Sequence, residues 1–189
     1  MFGSVFGSVA ASADDVRRAL PGDDLVPGAD VVMDRAFDLS APPEAVWPWL
    51  LQLGKRRAGW YLPRSVERFV PPSRRGLRHL DPALVAEAHV GHVIPDWGGR
   101  NATFEMAILD PPHALVHTTK RGTTHGSWAI VLERSDTLSG PSGPSGAGTH
   151  VQLRLRLSPV KRPWLATTLG EAVDAATVAG LAAGLRERV

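Results

Sequence analysis

Residues 30–39, DVVMDRAFDL, alternate along the chain. Val31, Met33, Arg35, Phe37 and Leu39 fall on one face and Val32, Asp34, Ala36 and Asp38 on the other, the two-residue period of a β-strand. The same period recurs downstream in GHVIP (91–95), NATFEMAILDP (101–111), HALVHTT (113–119), HGSWAIVLER (125–134) and THVQLRLRLS (149–158). In the last of these Val151, Leu153, Leu155 and Leu157 oppose His150, Gln152, Arg154 and Arg156, which predicts an antiparallel sheet with one buried and one wet face. The run SGPSGPSGAG (139–148) is too poor in apolar residues to pack and reads as a hairpin loop.

Other segments follow the helical period. SADDVRRAL (12–20) predicts a short helix capped by Ser12, with Asp14 and Asp15 in the dipole-favoured first turn, and PGDD (21–24) predicts a turn. SAPPEAVWPWLLQLG (40–54) predicts a helix opened by Ser40 or the Pro-Pro pair and closed by Gly54, with Pro48 bending it. Short helices are expected at 64–70 and 81–88. Pro163–Val189 reads as one long helix whose sheet-facing positions are Leu165, Leu169, Val173, Ala176, Gly180 and Leu185. Most of its apolar residues are Ala or Gly, so it is expected to cover the sheet without filling the space beneath, with Gly180 facing the void. The order is strand, helix, short helices, antiparallel strands, long helix. An antiparallel sheet with one apolar face must be covered, and the last helix is the element long enough to do so.

With 189 residues, 43% of them hydrophobic and 21% charged, the chain has the make-up of a soluble globular domain. It contains no cysteine, which excludes disulfides, thiolate metal sites and a cysteine nucleophile. No run approaches the ~18 apolar residues of a membrane span, so stable membrane insertion is not expected. The apolar start MFGSVFGSVAAS has no Lys or Arg before it, which argues against a secretory signal and for a cytoplasmic location. The net charge of +2 hides an asymmetry: Lys55–Arg78 holds eight basic residues and one acid, Glu67. The expected role of this stretch is a surface whose arginines pair with the acidic segment Asp14–Glu44. A weak interaction through 55–78 is the alternative, and nucleic acid is not expected as a partner.

Several words in the sequence, APPEAVWPWLLQLG (41–54), GWY (59–61), VGHVIP (90–95), FEMAILDPPHALV (104–116) and SWAIVLE (127–133), resemble the SRPBCC superfamily, the START-related, polyketide-cyclase-like proteins, and within it a bacterial branch. LPGDDLVP (20–27) is similar to the same branch, whereas Leu62-Pro63-Arg64 departs from it. The resemblance covers about residues 16–186. It implies an α+β helix-grip fold: a curved antiparallel sheet wrapped around a long C-terminal helix, with short helices after the first strand. It also implies an apolar cavity between sheet and helix, in a superfamily that binds lipids, sterols, hormones or polyketides and in which some members catalyse cyclisation or dehydration. The corresponding organisation is an N-terminal extension, 1–29, and a ligand-binding domain, 30–189.

The strand period then names the cavity wall: Phe104, Met106 and Ile108 in one row, Trp128, Ile130 and Leu132 in a second, Val151, Leu153 and Leu155 in a third, facing Leu169, Val173, Ala176 and Gly180. Trp60 and Tyr61 are placed at the cavity mouth, with the Tyr61 hydroxyl free to donate to a ligand oxygen. His117, with His125 as a near neighbour across the hairpin, is a candidate general acid or base. His89-x-x-His92 has metal-like spacing but no third ligand, so neither metal nor cofactor is expected. Two readings stay open. One is a module that binds a hydrophobic or aromatic, lipid- or polyketide-like small molecule. The other is a cyclase or dehydratase using Tyr61 and His117 in the same cavity, with the arginines at 55–57 helping to hold an acidic substrate.

Overall fold

The computed structural model describes residues 8–135, 148–165 and 170–189. Its elements in chain order are α1 (Ala13–Arg17), β1 (Val31–Leu39), α2 (Pro43–Gln52), α3 (Arg64–Glu67), α4 (Pro82–Ala86), β2 (Val93–Pro95), β3 (Thr103–Asp110), β4 (Ala114–Arg121), β5 (Thr124–Ser135), β6 (Gly148–Ser158), α5 (Pro163–Leu165) and α6 (Glu171–Arg186), with short 3-10 turns at Asp23–Leu25 and Pro72–Arg74. The strands form one six-stranded antiparallel sheet in the order β1-β6-β5-β4-β3-β2. The five later strands make a meander and β1 closes its far edge against β6. Residues 139–147 of the Gly-Pro-Ser run, and Leu169, lie outside the described residues.

Cross-strand register builds a row on the concave face, Met106, His117, Trp128, Leu155 and Met33, each opposite the next. One predicted row is broken. Met106 pairs with His117 but Ile108 pairs with Val116, so Ala107 is an extra residue, a β-bulge. A single inserted residue flips every later side chain to the other face. Leu109 therefore packs against the core opposite Leu115, and Ile108 turns away with Val116.

The convex face is not wet. Residues 9–26 lie across it, beginning with Ala36 N donating to Val9 O at 3.1 Å, and Leu20 packs on Ala114 and Val131. Arg154, 4% exposed, is covered because this segment supplies its acceptors. Its guanidinium donates to Asp34 Oδ1 (2.7 Å), Asp23 Oδ2 (2.9 Å) and the carbonyls of Arg18 (2.8 Å), Asp15 (3.0 Å) and Val16 (2.9 Å), which uses every donor an arginine has. Two of those carbonyls belong to the end of α1, where a helix leaves carbonyls unpaired. The acidic segment Asp14–Glu44 thus serves Arg154, His150 and Arg134, among others, rather than the 55–78 stretch. The arginines of that stretch instead find Glu67, Glu87 and Glu187.

Inside the concave face, α2 is buried on several sides: Val46, Trp47, Trp49, Leu50 and Leu51 all join the core. Its last four carbonyls are each satisfied. Trp49 O accepts from Tyr61 Oη (2.9 Å), Leu50 O from Leu53 N (3.3 Å), Leu51 O from Arg57 Nη2 (3.1 Å) and Gln52 O from Ala58 N (3.0 Å).

α6 packs on β1, with a face that matches the expected one at Leu185 and departs from it at Val173 and Ala176. Val178, Leu181 and Leu185 are buried, whereas Val173 is 67% exposed and Ala176 is exposed. Leu185 is inward as expected; Val178 and Leu181, which lie off the expected stripe, take the inward face from Val173 and Ala176 because they carry the larger apolar area. Gly180 does not face a void: a Cβ there would lie 2.8 Å from Leu62 Cδ2.

Candidate functional site

Between the sheet, α6 and two connections lies an open cavity of about 450 Å³. The sheet contributes Phe104, Trp128 and Leu155; the connections contribute Trp60, Asp96 and Trp97; α6 contributes Asp174, Thr177 and Val178. A narrower recess of about 60 Å³ runs inward past Trp60, Phe104 and Trp128 to Leu50, Leu53, Ile94 and His117.

The aromatic rings form a continuous wall. Trp60 stacks on Trp128 with centroids 6.1 Å apart and planes 26° apart, and Trp97 meets Trp60 edge-on at 6.1 Å. Phe104 tilts against Trp128 at 6.0 Å, and His117 stacks on Trp128 at 5.8 Å. Trp60 is tied to the helix by Nε1 donating to Thr177 O at 3.3 Å. Two carboxylates line the cavity and both have a guanidinium partner. Asp96 pairs with Arg121, and Asp174 Oδ2 lies 2.9 Å from Nε of Arg35, a residue that alternation on β1 turns to the concave side. Burial, with Glu171 adding to it, pushes the Asp174 carboxyl above the usual range despite Arg35.

His117 is 6% exposed and its Nδ1 has no hydrogen-bond partner. Burial first, then repulsion from Arg57 and His92, bring its pKa down to about 4. It is neutral at pH 7 and gives the recess an imidazole. His125 is not its neighbour: His117 lies opposite Trp128, and His125 opposite Lys120.

Of the residues expected from sequence, Trp60, Phe104, Trp128 and Leu155 line the cavity and His117 lines the recess. Met106, Ile130 and Leu153 lie on the concave side but pack in the core. Ile108, Val173, Ala176 and Gly180 face elsewhere, for the reasons given above. Tyr61 is not at the mouth. It is fully buried, its hydroxyl donates to Trp49 O and accepts from Gln52 Nε2 at 3.0 Å, and burial pushes its pKa up to about 12. Asp96, Trp97, Asp174, Thr177 and Val178 were not legible as site residues. The signal for the three on α6 was the bulky 178, 181, 185 stripe, which also presents position 174 one turn earlier. His92 Nε2 sits 3.1 Å from Arg57 Nη1, and no group of three or more His, Asp or Glu that could hold a metal occurs among the described residues. No helix among them is long and apolar enough to cross a membrane.

No protein-family model and no curated protein matches the chain. Solved structures do. A protein of Rhodobacter sphaeroides is 15% identical, with 85% of this chain and 92% of that one covered, at a TM-score of 0.48. CalU16 of Micromonospora echinospora is 12% identical, covering 84% and 76%, at 0.47. The Polyketide_cyc-like protein Cgl2372 of Corynebacterium glutamicum is 12% identical, covering 86% and 88%, at 0.36. On its own strand order and helix placement, an antiparallel six-stranded sheet holding a C-terminal helix against its concave face, the chain has the α+β helix-grip fold.

Proposed function

We propose that the chain binds an apolar, aromatic small molecule, lipid- or polyketide-like, in the cavity between the sheet and α6, and does no covalent chemistry on it. The observation that carries this reading is the indole wall. Trp60, Trp97 and Trp128 surround an open volume large enough for a polycyclic ligand, and apolar concavities with few polar groups are the usual surroundings of such ligands. The polar groups present fit a binding role. Asp96 and Asp174 are already held by arginines, and His117 is a neutral imidazole at the end of the recess. The alternative, acid–base chemistry shared by Tyr61 and His117, loses its first member, because the Tyr61 hydroxyl is engaged in the core. The sequence resemblance supports the same reading.

The test is a titration with N-phenyl-1-naphthylamine, an uncharged fluorescent aromatic. Its emission is expected to rise saturably while tryptophan emission is quenched by energy transfer. Leu155→Trp, which places an indole in the cavity, is expected to weaken binding by roughly tenfold or more, about 1.4 kcal/mol, while leaving the fold intact. Absence of saturable binding by the unaltered protein would overturn the reading.

A further inference from the structure

Beside the cavity runs a second groove, of about 470 Å³, bounded by Lys55, Arg56, Arg57, Arg74, Arg75 and Trp97 among others. The two spaces adjoin: Trp97 lines both, and Lys55 Nζ donates at 2.8 Å to the carbonyl of Asp96, which lines the cavity. Among the described residues, none that lines the groove is acidic. Arg57 is engaged by Glu87 and by the carbonyls of Leu51 and Leu84. The others keep their charge uncompensated. Arg75 donates only to the carbonyls of Val70 and Arg68, and the exposed side chains of Arg56 and Arg74 make no ion pair among the described residues.

Arg56 is also held in an unusual backbone conformation. Its φ is 60°, inside a turn closed by Gly54 N to Gly59 O at 3.2 Å and Gly59 N to Gly54 O at 2.9 Å. An arginine in the left-handed region is disfavoured relative to glycine or asparagine, yet a cation stands at this turn beside the cavity.

We infer that the ligand is an anionic amphiphile whose carboxylate, sulfonate or phosphate head lies in the groove of Arg56 and Arg74, with its apolar body in the indole-walled cavity. This rests on the binding reading above and names the ligand class. The orientation follows from charge: the carboxylates of the cavity, Asp96 and Asp174, are each paired with a guanidinium already, so that pairing leaves no surplus cation there for an anion, whereas the groove offers unpaired guanidinium groups suited to bidentate pairing with such heads.

The experiment compares 8-anilinonaphthalene-1-sulfonate with N-phenyl-1-naphthylamine, the same aromatic skeleton without the sulfonate, on the unaltered protein and on the Arg56→Gln/Arg74→Gln variant. The sulfonate is expected to bind more tightly than the neutral probe, and added salt is expected to weaken only the sulfonate. The double variant is expected to lose roughly fivefold in sulfonate affinity, in the range of exposed charge pairs, with neutral-probe affinity unchanged. Equal affinities for the two probes, or a variant that lowers both or neither, overturns the head-group assignment and leaves the cavity reading standing. Failure of both probes to bind overturns the two together. A variant that loses only affinity for phosphatidylserine vesicles, with the probe ratio intact, assigns the groove to a lipid surface and likewise overturns the proposal.

Discussion

The hydroxyl of Tyr61 donates to the carbonyl of Trp49 across 2.9 Å, and this bond fixes the connection that carries Trp60 into the cavity. The same hydroxyl accepts from Gln52 Nε2, whose amide also donates to His79 O at 3.2 Å, while its Oε1 accepts from Asp81 N at 2.9 Å. One phenol and one amide thereby join the end of α2 to two other segments inside the core. Tyr61→Phe strands the Trp49 carbonyl, and a buried group left unpaired costs about 2 kcal/mol. Urea unfolding is expected to show that loss while titration with N-phenyl-1-naphthylamine stays unchanged. A large loss of binding without loss of stability would place the hydroxyl at the ligand after all.

Two glycines of α6 separate contact with fixed backbone from contact with a movable side chain. A Cβ on Gly184 would lie 2.5 Å from Tyr61 C and 2.6 Å from Leu62 N, backbone atoms that cannot swing aside. A Cβ on Gly180 would meet the far end of the Leu62 side chain, which can. Gly184→Ala is expected to cost about 2 kcal/mol, lowering Tm by about 6 °C in a chain of this size. Gly180→Ala is expected to be near neutral, with the helix propensity of alanine, worth about 1 kcal/mol, offsetting the adjustment of Leu62. Thermal unfolding of the pair decides. Similar Tm values would mean that α6 does not rest on the 61–62 backbone.

How much of this was legible in the sequence depends on which physical rule acted alone. Strand alternation was readable wherever one pleated face met the core, so Phe104, Trp128 and Leu155 were assigned to the concave face on which the structure has them. It failed at Ala107 because a bulge leaves no mark in an apolar run, and Ile108, the one residue of the row beyond it, was assigned to the wrong face. The expected stripe of α6 was right at Leu185 but placed Val173 and Ala176 inward, whereas Val178 and Leu181 are buried instead. The polar side of β6 was read as wet because covering it needed acceptors from residues 15–23, and no local pattern announces that pairing.

Glu67 anchors the C-terminal end of α6. Its carboxylate accepts from Arg188 at 2.9 Å and Arg78 at 2.7 Å, and the Arg188 side chain has no exposure at all. Burial alone would raise the Glu67 pKa, but the bonds from Arg78 and Arg188 outweigh it and hold the carboxyl below its usual range. A depressed carboxylate stabilises the fold above the unfolded pKa and loses that contribution as pH falls through the folded one. Glu67→Gln is expected to cost about 3 kcal/mol at pH 7, because a buried guanidinium is left without its countercharge. Adding Arg188→Met is expected to restore part of that loss by removing the orphaned charge. A double variant no better than the single one in urea unfolding would contradict this account.

His117 titrates in the opposite sense to a salt-bridged histidine. Its folded pKa is about 4, against 6.5 for the free side chain, because burial and the nearby Arg57 and His92 oppose its charge. Between those values the unfolded chain binds the proton and the folded chain does not, so stability falls as pH drops from 6.5 toward 4. Comparing pH 7 with pH 4.5, this single group is expected to cost roughly 2 kcal/mol. His150 works the other way: although burial opposes its charge, Asp38 and Asp15 raise its pKa, so its contribution is present below 6.5 and fades as pH rises. His117→Phe keeps a ring between Phe104 and Trp128 and removes the titration, leaving the His150 contribution unchanged in both proteins. The difference in unfolding free energy between His117→Phe and the unaltered protein is therefore expected to shift by roughly 2 kcal/mol in favour of the variant on going from pH 7 to pH 4.5. A difference that does not move with pH would mean that His117 takes up its proton in the folded protein, and with it that the recess behind Trp128 is open to water.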